Sequence, residues 1–143
     1  MSFFRNRNRT SSSFEAFDHL ATMVAVLDRE GRCQHVNAAF ESTLGLPRRA
    51  LQGSSAFGWF VAPAMLKVTF DAVVANEYST ARLEALLGRP PGAASSEPLP
   101  VHAIVTQIDH GEQVLLELVA LEQEVRQDRE ARAIHQSPIT TEL

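Results

Sequence analysis

The chain has 143 residues, 45% of them hydrophobic, and a formal net charge of −4. That length fits one domain with short extensions, and the composition is typical of a globular protein rather than a disordered one. The charge balance gives no reason to expect nucleic-acid binding, and no apolar run approaches the roughly 20 residues of a membrane-spanning helix. The single cysteine, Cys33, excludes an internal disulfide and a cysteine metal cluster, and it favours a reducing cytoplasm.

The N-terminal region divides into a basic tail and a short helix. Residues 1–12 hold three arginines and no acid, and no apolar segment follows, so we expect a flexible tail and not a secretory signal. Ser12 to Glu15 fits a capping box that begins a helix over about 13–20. A helix this short must pack on a sheet face or a partner chain to be stable. Its apolar side consists of Phe14, Phe17 and Leu20.

The next segment gives the most consistent local signals in the chain. An apolar strand at 23–27 and a mixed strand at 32–36 flank residues 28–31, which have the composition of a tight turn. Asn37 suits a helix N-cap, and Gly45 suits the left-handed position at the end of that helix. The segment therefore predicts strand, turn, strand and capped helix.

The middle of the chain predicts further helical segments. Residues 47–53 predict one helical turn, and 54–62 an irregular segment whose aromatic rings fill the core or line a ligand cavity. Pro63 begins a longer amphipathic helix over 63–76. Its buried face consists of Leu66, Phe70, Val73 and Val74.

The second half predicts three strands, at 82–87, 101–109 and 113–121, and a proline-rich loop at 88–100. The last two strands are apolar on both faces, whereas an antiparallel sheet with one wet face alternates between apolar and polar residues. We therefore expect both faces to be covered, one of them by the helices of 37–76. The other cover is either the N-terminal helix or the same sheet of a second subunit.

From residue 122 the chain becomes charged and helical, with i,i+4 ion pairs such as Glu122–Arg126. Polar residues such as Asp128 and Arg132 interrupt its apolar stripe. Residues 122–143 therefore predict a connector helix rather than a rigid coiled coil.

The order of elements and the opening motif together resemble a PAS domain, a small sensory module of signalling proteins. The resemblance rests on the D-x-x-G turn at 28–31, the strand ending in Val36-Asn37, and A-x-F at 38–40. It covers residues 13–121 and implies an α+β fold. That fold has a five-stranded antiparallel sheet of order 2-1-5-4-3 with helices on one face, extended by the N-terminal helix and the C-terminal connector helix.

A closer likeness combines D-H-L-A-T-M-V-A-V-L-D at 18–28 with E-V-R-Q-D-R-E-A-R-A-I-H-Q at 124–136. These segments are similar to the N-terminal sensory domain of nitrogen-regulation (NtrB-type) sensor histidine kinases. The likeness implies a cytoplasmic homodimer that signals to its own kinase domains, with 122–143 holding the connector and the start of a kinase region. In that family the whole protein responds to the PII signal protein and acts on a response regulator.

No catalytic, cofactor or metal site is predicted. The five histidines form no local metal-ligand spacing, residues 63–77 lack the axial histidine of a haem PAS domain, and 45–53 lack the cysteine of a flavin photosensor. His135 is followed by Gln-Ser-Pro, whereas the family's phosphoacceptor motif is H-E-[IL]-K-N-P. We therefore expect this fragment not to be an enzyme, although its parent would be a histidine kinase and phosphatase.

Two binding surfaces are predicted, a ligand pocket and a dimer face. A ligand pocket between sheet and helices would be lined by Val26, Val36, Phe40, Leu44, Phe60, Phe70, Leu83, Val105 and Leu116, and the alternative is a filled core. A dimer face would be formed by Phe14, Phe17, Leu20, Ile104, Ile108, Leu115, Val119 and Leu121.

Two other classes of function stay open: a free-standing small-molecule binding protein, and a small α+β enzyme of the cone or hot-dog type. The enzyme would need a buried acid or histidine, and Asp28 and Glu84 are the nearby candidates.

Overall fold

The chain folds as one antiparallel sheet with short helices packed on one face. The computed structural model describes residues 14–89 and 97–121. The strands are β1 (Met23–Leu27), β2 (Cys33–Val36), β3 (Phe60–Val61), β4 (Thr80–Leu87), β5 (Leu99–Ile108) and β6 (Gln113–Ala120). The α-helices are α1 (Ala38–Leu44), α2 (Arg48–Leu51) and α3 (Ala64–Val74), and 3-10 helices span Ala16–His19, Ala56–Trp59 and Asp109–Gly111. The strand order is β2-β1-β6-β5-β4-β3.

The five predicted strands are present and lie in the predicted order. A sixth strand, β3, extends the sheet beyond β4, where Phe60 pairs with Leu87 and Val61 with Leu86. The sequence did not predict β3, because a strand of two residues is too short to show an alternating pattern. The sheet therefore has six strands rather than five.

Other predicted boundaries shift by a few residues. β4 begins at Thr80, two residues early, and β5 begins at Leu99 within the predicted loop. The predicted amphipathic helix is confirmed as α3, and the predicted N-terminal helix is helical from residue 14 and ends in the 3-10 helix Ala16–His19. The predicted tail at 1–12 and connector helix at 122–143 lie outside the described residues. Within the described part of the chain, no helix is long and apolar enough to cross a membrane.

The turn and helix signals at the start of the domain are confirmed. The carboxylate of Asp28 accepts hydrogen bonds from the backbone N–H groups of Glu30 and Arg32, both at 2.9 Å. Gly31 has a φ of 86°, and the ring of Phe57 lies against its Cα, so a side chain at this position would meet the ring. This turn therefore sets the register between β1 and β2.

The core lies between the inner face of the sheet and the helices. Along the middle of β5 and β6, every second residue faces inward and is at most 1% exposed. The helices add Phe40 and Leu44 from α1 and Phe70 from α3. The inward-facing strand residues are Val101, Ala103, Val105, Val114, Leu116 and Leu118.

The outer face of the sheet is covered unevenly. At β2, residues 14–22, which we call the N-terminal segment, reach this face, where the ring of Phe14 lies 5.3 Å from that of His35. On the neighbouring β1, Val24 and Val26 are fully buried. On β5 and β6 the outward residues stay half-buried. Of the two predicted covers, the N-terminal segment therefore lies over the β1–β2 side of the sheet.

Candidate functional site

Eight of the nine residues predicted to line a ligand pocket meet in the core. Seven are each at most 7% exposed, and Leu83 packs against them from β4. Because core side chains interdigitate with few voids, this arrangement favours the filled-core alternative. The seven are Val36, Phe40, Leu44, Phe60, Phe70, Val105 and Leu116.

The ninth residue, Val26, faces the other way. In the β1–β2 pairing, Ala25 lies opposite Val36 and Val26 lies opposite His35. Since neighbouring residues of a strand point to opposite faces, Val26 belongs to the outer face while Val36 belongs to the core. The sequence could not assign this orientation, because all five residues of β1 are apolar. The prediction that Val26 lines the pocket is therefore wrong.

A pocket opens at one edge of this core. It encloses about 400 Å³ where the ends of α1 and α2 face β3 and the end of β4. That volume lies within the range of about 300–1,000 Å³ found for small-molecule sites. Leu44 and Phe60 also belong to the predicted lining. The pocket is lined by Leu44, Leu51, Gly58, Trp59, Phe60, Val61, Gly88 and Arg89.

Trp59 forms a fixed wall of this pocket. Its indole N–H donates to the Ser54 hydroxyl at 3.0 Å, and its ring packs edge-on against Phe40 at a centroid distance of 5.3 Å. The backbone N–H of Gly88 donates to the Trp59 carbonyl at 2.7 Å. A Cβ at Gly88 would lie 3.0 Å from that carbonyl oxygen, so glycine permits this close contact. Ser54 and Phe40 therefore hold the indole, and Gly88 holds the backbone of the same residue.

Arg89 also lines this pocket, and its guanidinium is held by two backbone carbonyls. Its Nε donates to the Glu97 carbonyl and its Nη1 to the Thr43 carbonyl, each at 3.1 Å. Thr43 lies in the last turn of α1, where carbonyl groups lack helical partners and carry the negative end of the helix dipole. The guanidinium is therefore anchored to the scaffold by two residues, Thr43 and Glu97, that are not among the lining residues of this pocket.

The two acidic residues considered for the enzyme alternative, Asp28 and Glu84, do not line this pocket. Asp28 stabilises the β1–β2 turn, and Glu84 is exposed on the outward side of β4. Cys33 is buried, and burial raises the pKa of its thiol to about 11, so it stays protonated at neutral pH. Among residues 14–89 and 97–121, no three His, Cys, Asp or Glu side chains form a metal-binding group. The two acids of the enzyme alternative therefore lie away from the pocket.

Asn37 joins the N-terminal segment to the sheet and to α1. Its Oδ1 accepts from the backbone N–H of Phe40 at 3.1 Å, which is the predicted N-cap, and also from Val24 at 2.9 Å. Its Nδ2 donates to the carbonyls of Phe17 at 2.8 Å and Thr22 at 2.9 Å. The side chain is fully buried and makes four hydrogen bonds. We call Asn37 and these four contacts the clamp.

A charged cluster stands beside the clamp. Asp18 accepts a hydrogen bond from the backbone N–H of Ala38, the first residue of α1, at 2.9 Å. Arg48 contacts Asp18 at 3.4 Å and makes two hydrogen bonds to one oxygen of Glu41, at 2.9 and 3.1 Å. The acid at the helix N-terminus also complements the helix dipole. The cluster therefore ties the N-terminal segment to α1 and α2.

His35 lies under the N-terminal segment. It is 8% exposed, and its Nε2 has no hydrogen-bond partner among the described residues. Burial lowers the pKa of this imidazole, and the charge of Arg48 lowers it further, while Asp18 and Glu41 oppose the shift. The ring is therefore neutral at pH 7, which suits its contact with Phe14.

The predicted dimer face falls into two parts. Ile104, Ile108, Leu115 and Val119 are half-buried on the outer face of β5 and β6, and Leu121 follows β6. Phe14, Phe17 and Leu20 lie in the N-terminal segment, where Leu20 is 45% exposed. We call Ile104, Leu115 and Val119 the outer patch.

The family model described as PAS fold matches residues 17–89, about half of the chain. This chain belongs to the PAS family. The matched region contains the turn, the clamp, α1 to α3 and the strands β1 to β4, so the expected fold is confirmed for this part by sequence as well as by structure. No curated protein sequence matches the chain.

Solved structures support the PAS fold along most of the chain. A PAS domain of an HTR-like protein from Haloarcula marismortui superposes with a TM-score of 0.60 at 21% identity, covering 80% of this chain and 99% of that one. A domain of a sensory box sensor histidine kinase/response regulator from Geobacter sulfurreducens gives 0.60 at 18% identity, covering 76% and 92%. A PAS domain from a two-component sensor histidine kinase gives 0.60 at 10% identity, covering 80% and 98%. At these identities, the likeness establishes the fold.

Sequence reasoning missed most of the contacts that surround this PAS domain's clamp and pocket. It assigned Asn37 to the helix cap, but the two Nδ2 bonds join residues 15 and 20 positions away. It did not single out Arg89, whose partner Thr43 is 46 positions away. No local pattern reports such long-range contacts. The aromatic composition of 54–62 was the one signal that pointed toward the pocket.

Proposed function

We propose that this PAS domain is the sensory and dimerisation module of a cytoplasmic two-component sensor histidine kinase. In this proposal, residues 1–12 are a flexible tail, 13–121 are the PAS domain, and 122–143 connect it to kinase domains. PAS domains of sensor histidine kinases are among the solved structures that share its fold. PAS domains are usually non-catalytic, so the fragment would transmit a signal and the parent protein would carry the kinase activity.

The outer patch carries the dimer part of the proposal. An antiparallel sheet whose outer face meets water places polar residues there, but Ile104, Leu115 and Val119 face outward and are half-buried. Leu115 and Val119 lie two residues either side of Glu117, whose cross-strand partner is Ile104, so the three side chains lie close together on one surface. The same surface of a second copy would bury them in a two-fold interface.

The proposed signal route follows from the position of this face. β6 ends at Ala120, so the chain leaves the outer patch directly toward residues 122–143. A dimer formed through β5 and β6 would place the two exits near one another. A change in their packing would then reach the kinase domains of both chains.

A narrower proposal is that the parent kinase regulates nitrogen assimilation. Its support is the likeness of residues 18–28 and 124–136 to the nitrogen-regulation kinases. The partners in that case are the PII signal protein and a response regulator, reached through the parent protein.

Sedimentation equilibrium tests the dimer. The chain weighs 15.7 kDa, so we expect a mass of about twice that value at roughly 100 µM. The double variant Ile104→Glu, Leu115→Glu places two charges in the interface and should sediment as a monomer. Met65→Glu is the matched control, since Met65 is 66% exposed on α3 and lies in the other layer. A monomeric wild type, or a monomeric Met65→Glu control, would contradict the proposal.

A further inference from the structure

A row of three outward side chains crosses the centre of the sheet. Glu117 on β6 and Arg82 on β4 each pair with Ile104 on β5, so the acid and the base lie on opposite sides of the isoleucine. Since cross-strand partners point to the same face, all three side chains stand on the outer face beside the outer patch. Neighbouring strands lie roughly 4.8 Å apart, which places the Cα atoms of Glu117 and Arg82 roughly 10 Å from one another. The row therefore carries an acid, an apolar residue and a base in that order.

Each charged group of this row can bond to a partner that lies over the outer patch. Glu117 is half-buried, and one of its oxygens accepts a hydrogen bond from the Thr22 hydroxyl at 2.8 Å. A carboxylate has further lone pairs, so this bond leaves it able to accept more hydrogen bonds. Arg82 is exposed, and its guanidinium presents a planar fork of N–H donors that matches the geometry of a carboxylate. The two side chains are therefore complementary in charge and in shape.

A two-fold axis that runs along β5 makes the row complementary to itself. When a second copy packs face to face about this axis, its row is reversed relative to the first. Ile104 then lies against the partner's Ile104, and Arg82 lies against the partner's Glu117. Packed sheets are roughly 10 Å apart, a gap that an arginine and a glutamate side chain span together. An axis at right angles to the strands would instead place Glu117 against the partner's Glu117, so the charges favour the axis along β5.

We propose that the outer face recognises a second copy of this chain through two reciprocal ion pairs, each between Arg82 of one copy and Glu117 of the other. The inference rests on the proposed function, because it names the contacts that give the proposed dimer its partner preference and its orientation. Like charges that face one another across an interface weaken binding. A domain that places an acid against Glu117 or a base against Arg82 is therefore rejected, and the dimer is selective for its own chain.

The axis along β5 also brings the ends of the two domains together. A rotation about this axis keeps the direction of the strands, so β6 of both copies runs the same way and ends with Ala120 at the same end of the dimer. The axis at right angles to the strands would place the two copies of Ala120 at opposite ends. The ion pairs therefore favour the arrangement in which both chains continue side by side toward the kinase domains of the proposed function.

Charge reversal tests the two ion pairs. Arg82→Glu places an acid against the partner's Glu117, and Glu117→Arg places a base against the partner's Arg82. Each variant alone should raise the dissociation constant of the dimer roughly 100-fold, about tenfold for each of the two contacts. Lys67→Glu and Asp71→Arg are the matched controls, since both residues are exposed on α3 in the other layer, and they should dimerise as the wild type does. Sedimentation equilibrium of each full chain measures these constants.

An equimolar mixture of the two variants gives the sharpest result. A chain with Arg82→Glu and a chain with Glu117→Arg together place an acid against a base at both contacts, so they should form a heterodimer about as tightly as the wild type forms its dimer. Native mass spectrometry distinguishes the heterodimer from the two homodimers by mass. We expect the heterodimer to dominate. A statistical mixture of the three dimers, or single variants that dimerise as tightly as the wild type, would overturn the inference.

The fold of Glu117→Arg is checked by urea unfolding, because this variant also loses the hydrogen bond to Thr22. If it does not fold, Glu117→Gln is added to Arg82→Glu instead. This change removes the repelling charge and should recover part of the lost affinity, and no recovery would contradict the pairing. A wild-type dimer whose charge variants dimerise equally well refutes the ion pairs and leaves the proposed function standing, whereas a monomeric wild type refutes both.

Discussion

Both faces of the sheet carry large apolar side chains, but these side chains have different surroundings on the two faces. On β6, Leu116 faces inward and is 1% exposed, whereas its neighbour Leu115 faces outward and is half-buried. The inward residue packs against helices of the same chain, which complete the core. The outward residue has equal hydrophobicity, and the described residues leave it partly open. The comparison shows that the described residues complete the inner face, and we propose that a partner covers the open part of the outer face.

The outer face is itself more deeply buried over β1 and β2 than over β5 and β6. Over β1 and β2, Val24, Val26 and His35 are buried, and the N-terminal segment contacts this region through Phe14. Over β5 and β6 the outer patch is half-buried. The N-terminal segment therefore covers one part of an apolar surface and leaves the part that we assign to a second copy.

Truncating one inward and one outward leucine of β6 to alanine should give the largest difference in the free energy of unfolding between the two faces. Leu116→Ala leaves a cavity in the core and should lower the free energy of unfolding by about 3 kcal/mol. Leu115→Ala removes the same atoms from a half-exposed position and should cost less than about 1 kcal/mol in the monomer. Urea unfolding at a concentration below dimer formation measures both. Equal losses would show that the outer face is as well packed as the inner one.

Removing the clamp should have the next largest effect. Asn37→Ala removes the α1 cap and leaves buried carbonyl and N–H groups without a partner, so it should cost about 2 kcal/mol. Asn37→Asp keeps the acceptor of the cap but places a carboxylate oxygen against the carbonyls of Phe17 and Thr22. We expect this variant to release the N-terminal segment, measured as faster hydrogen exchange or proteolysis there, while α1 is retained. If residues 14–22 stay as protected as in the wild type, the clamp does not hold the segment.

The folding stability should depend weakly on pH through His35, the residue of β2 that Phe14 covers. The pKa of His35 in the folded chain lies below its ordinary value of 6.5 because of burial. On acidification the unfolded chain therefore binds the proton first, so stability is complete above pH 6.5 and falls as the pH drops below it. His35→Phe keeps a ring beside Phe14 and should flatten the dependence between pH 7.5 and 5.5.

Thermal unfolding at each pH measures this effect. The exposed His19 gives the control variant His19→Gln, which should retain the pH dependence of the wild type. A pH dependence that persists unchanged in His35→Phe would assign it to other groups.

The sequence predicted the features that local chemistry controls. The Asp28 turn, the Asn37 cap and the αL glycine at Gly45, with a φ of 72°, follow from side-chain geometry within a few residues. The strand order followed from the PAS resemblance. These parts were predictable because neighbouring residues determine them, or because the order of elements leaves few topologies.

The remaining features depend on contacts that are distant in sequence. The orientation of Val26 depends on register, because an all-apolar strand carries no alternation. The pocket lies beside two long-range contacts, that of Gly88 with the Trp59 carbonyl and that of Arg89 with Thr43. Neither contact leaves a periodic signal in the sequence, which explains why the predicted pocket was placed in the packed core instead.

Hydroxyl-radical footprinting tests the central claim, that a second copy covers the outer patch, most directly. The full chain is oxidised at concentrations above and below the dimer dissociation constant, and the oxidation rate of each side chain is read by mass spectrometry. On dilution we expect the rates at Ile104, Leu115 and Val119 to rise severalfold, while exposed Met65 and Val68 on α3 keep constant rates. Constant rates at the outer patch, or a rise at Met65 and Val68, would contradict the account.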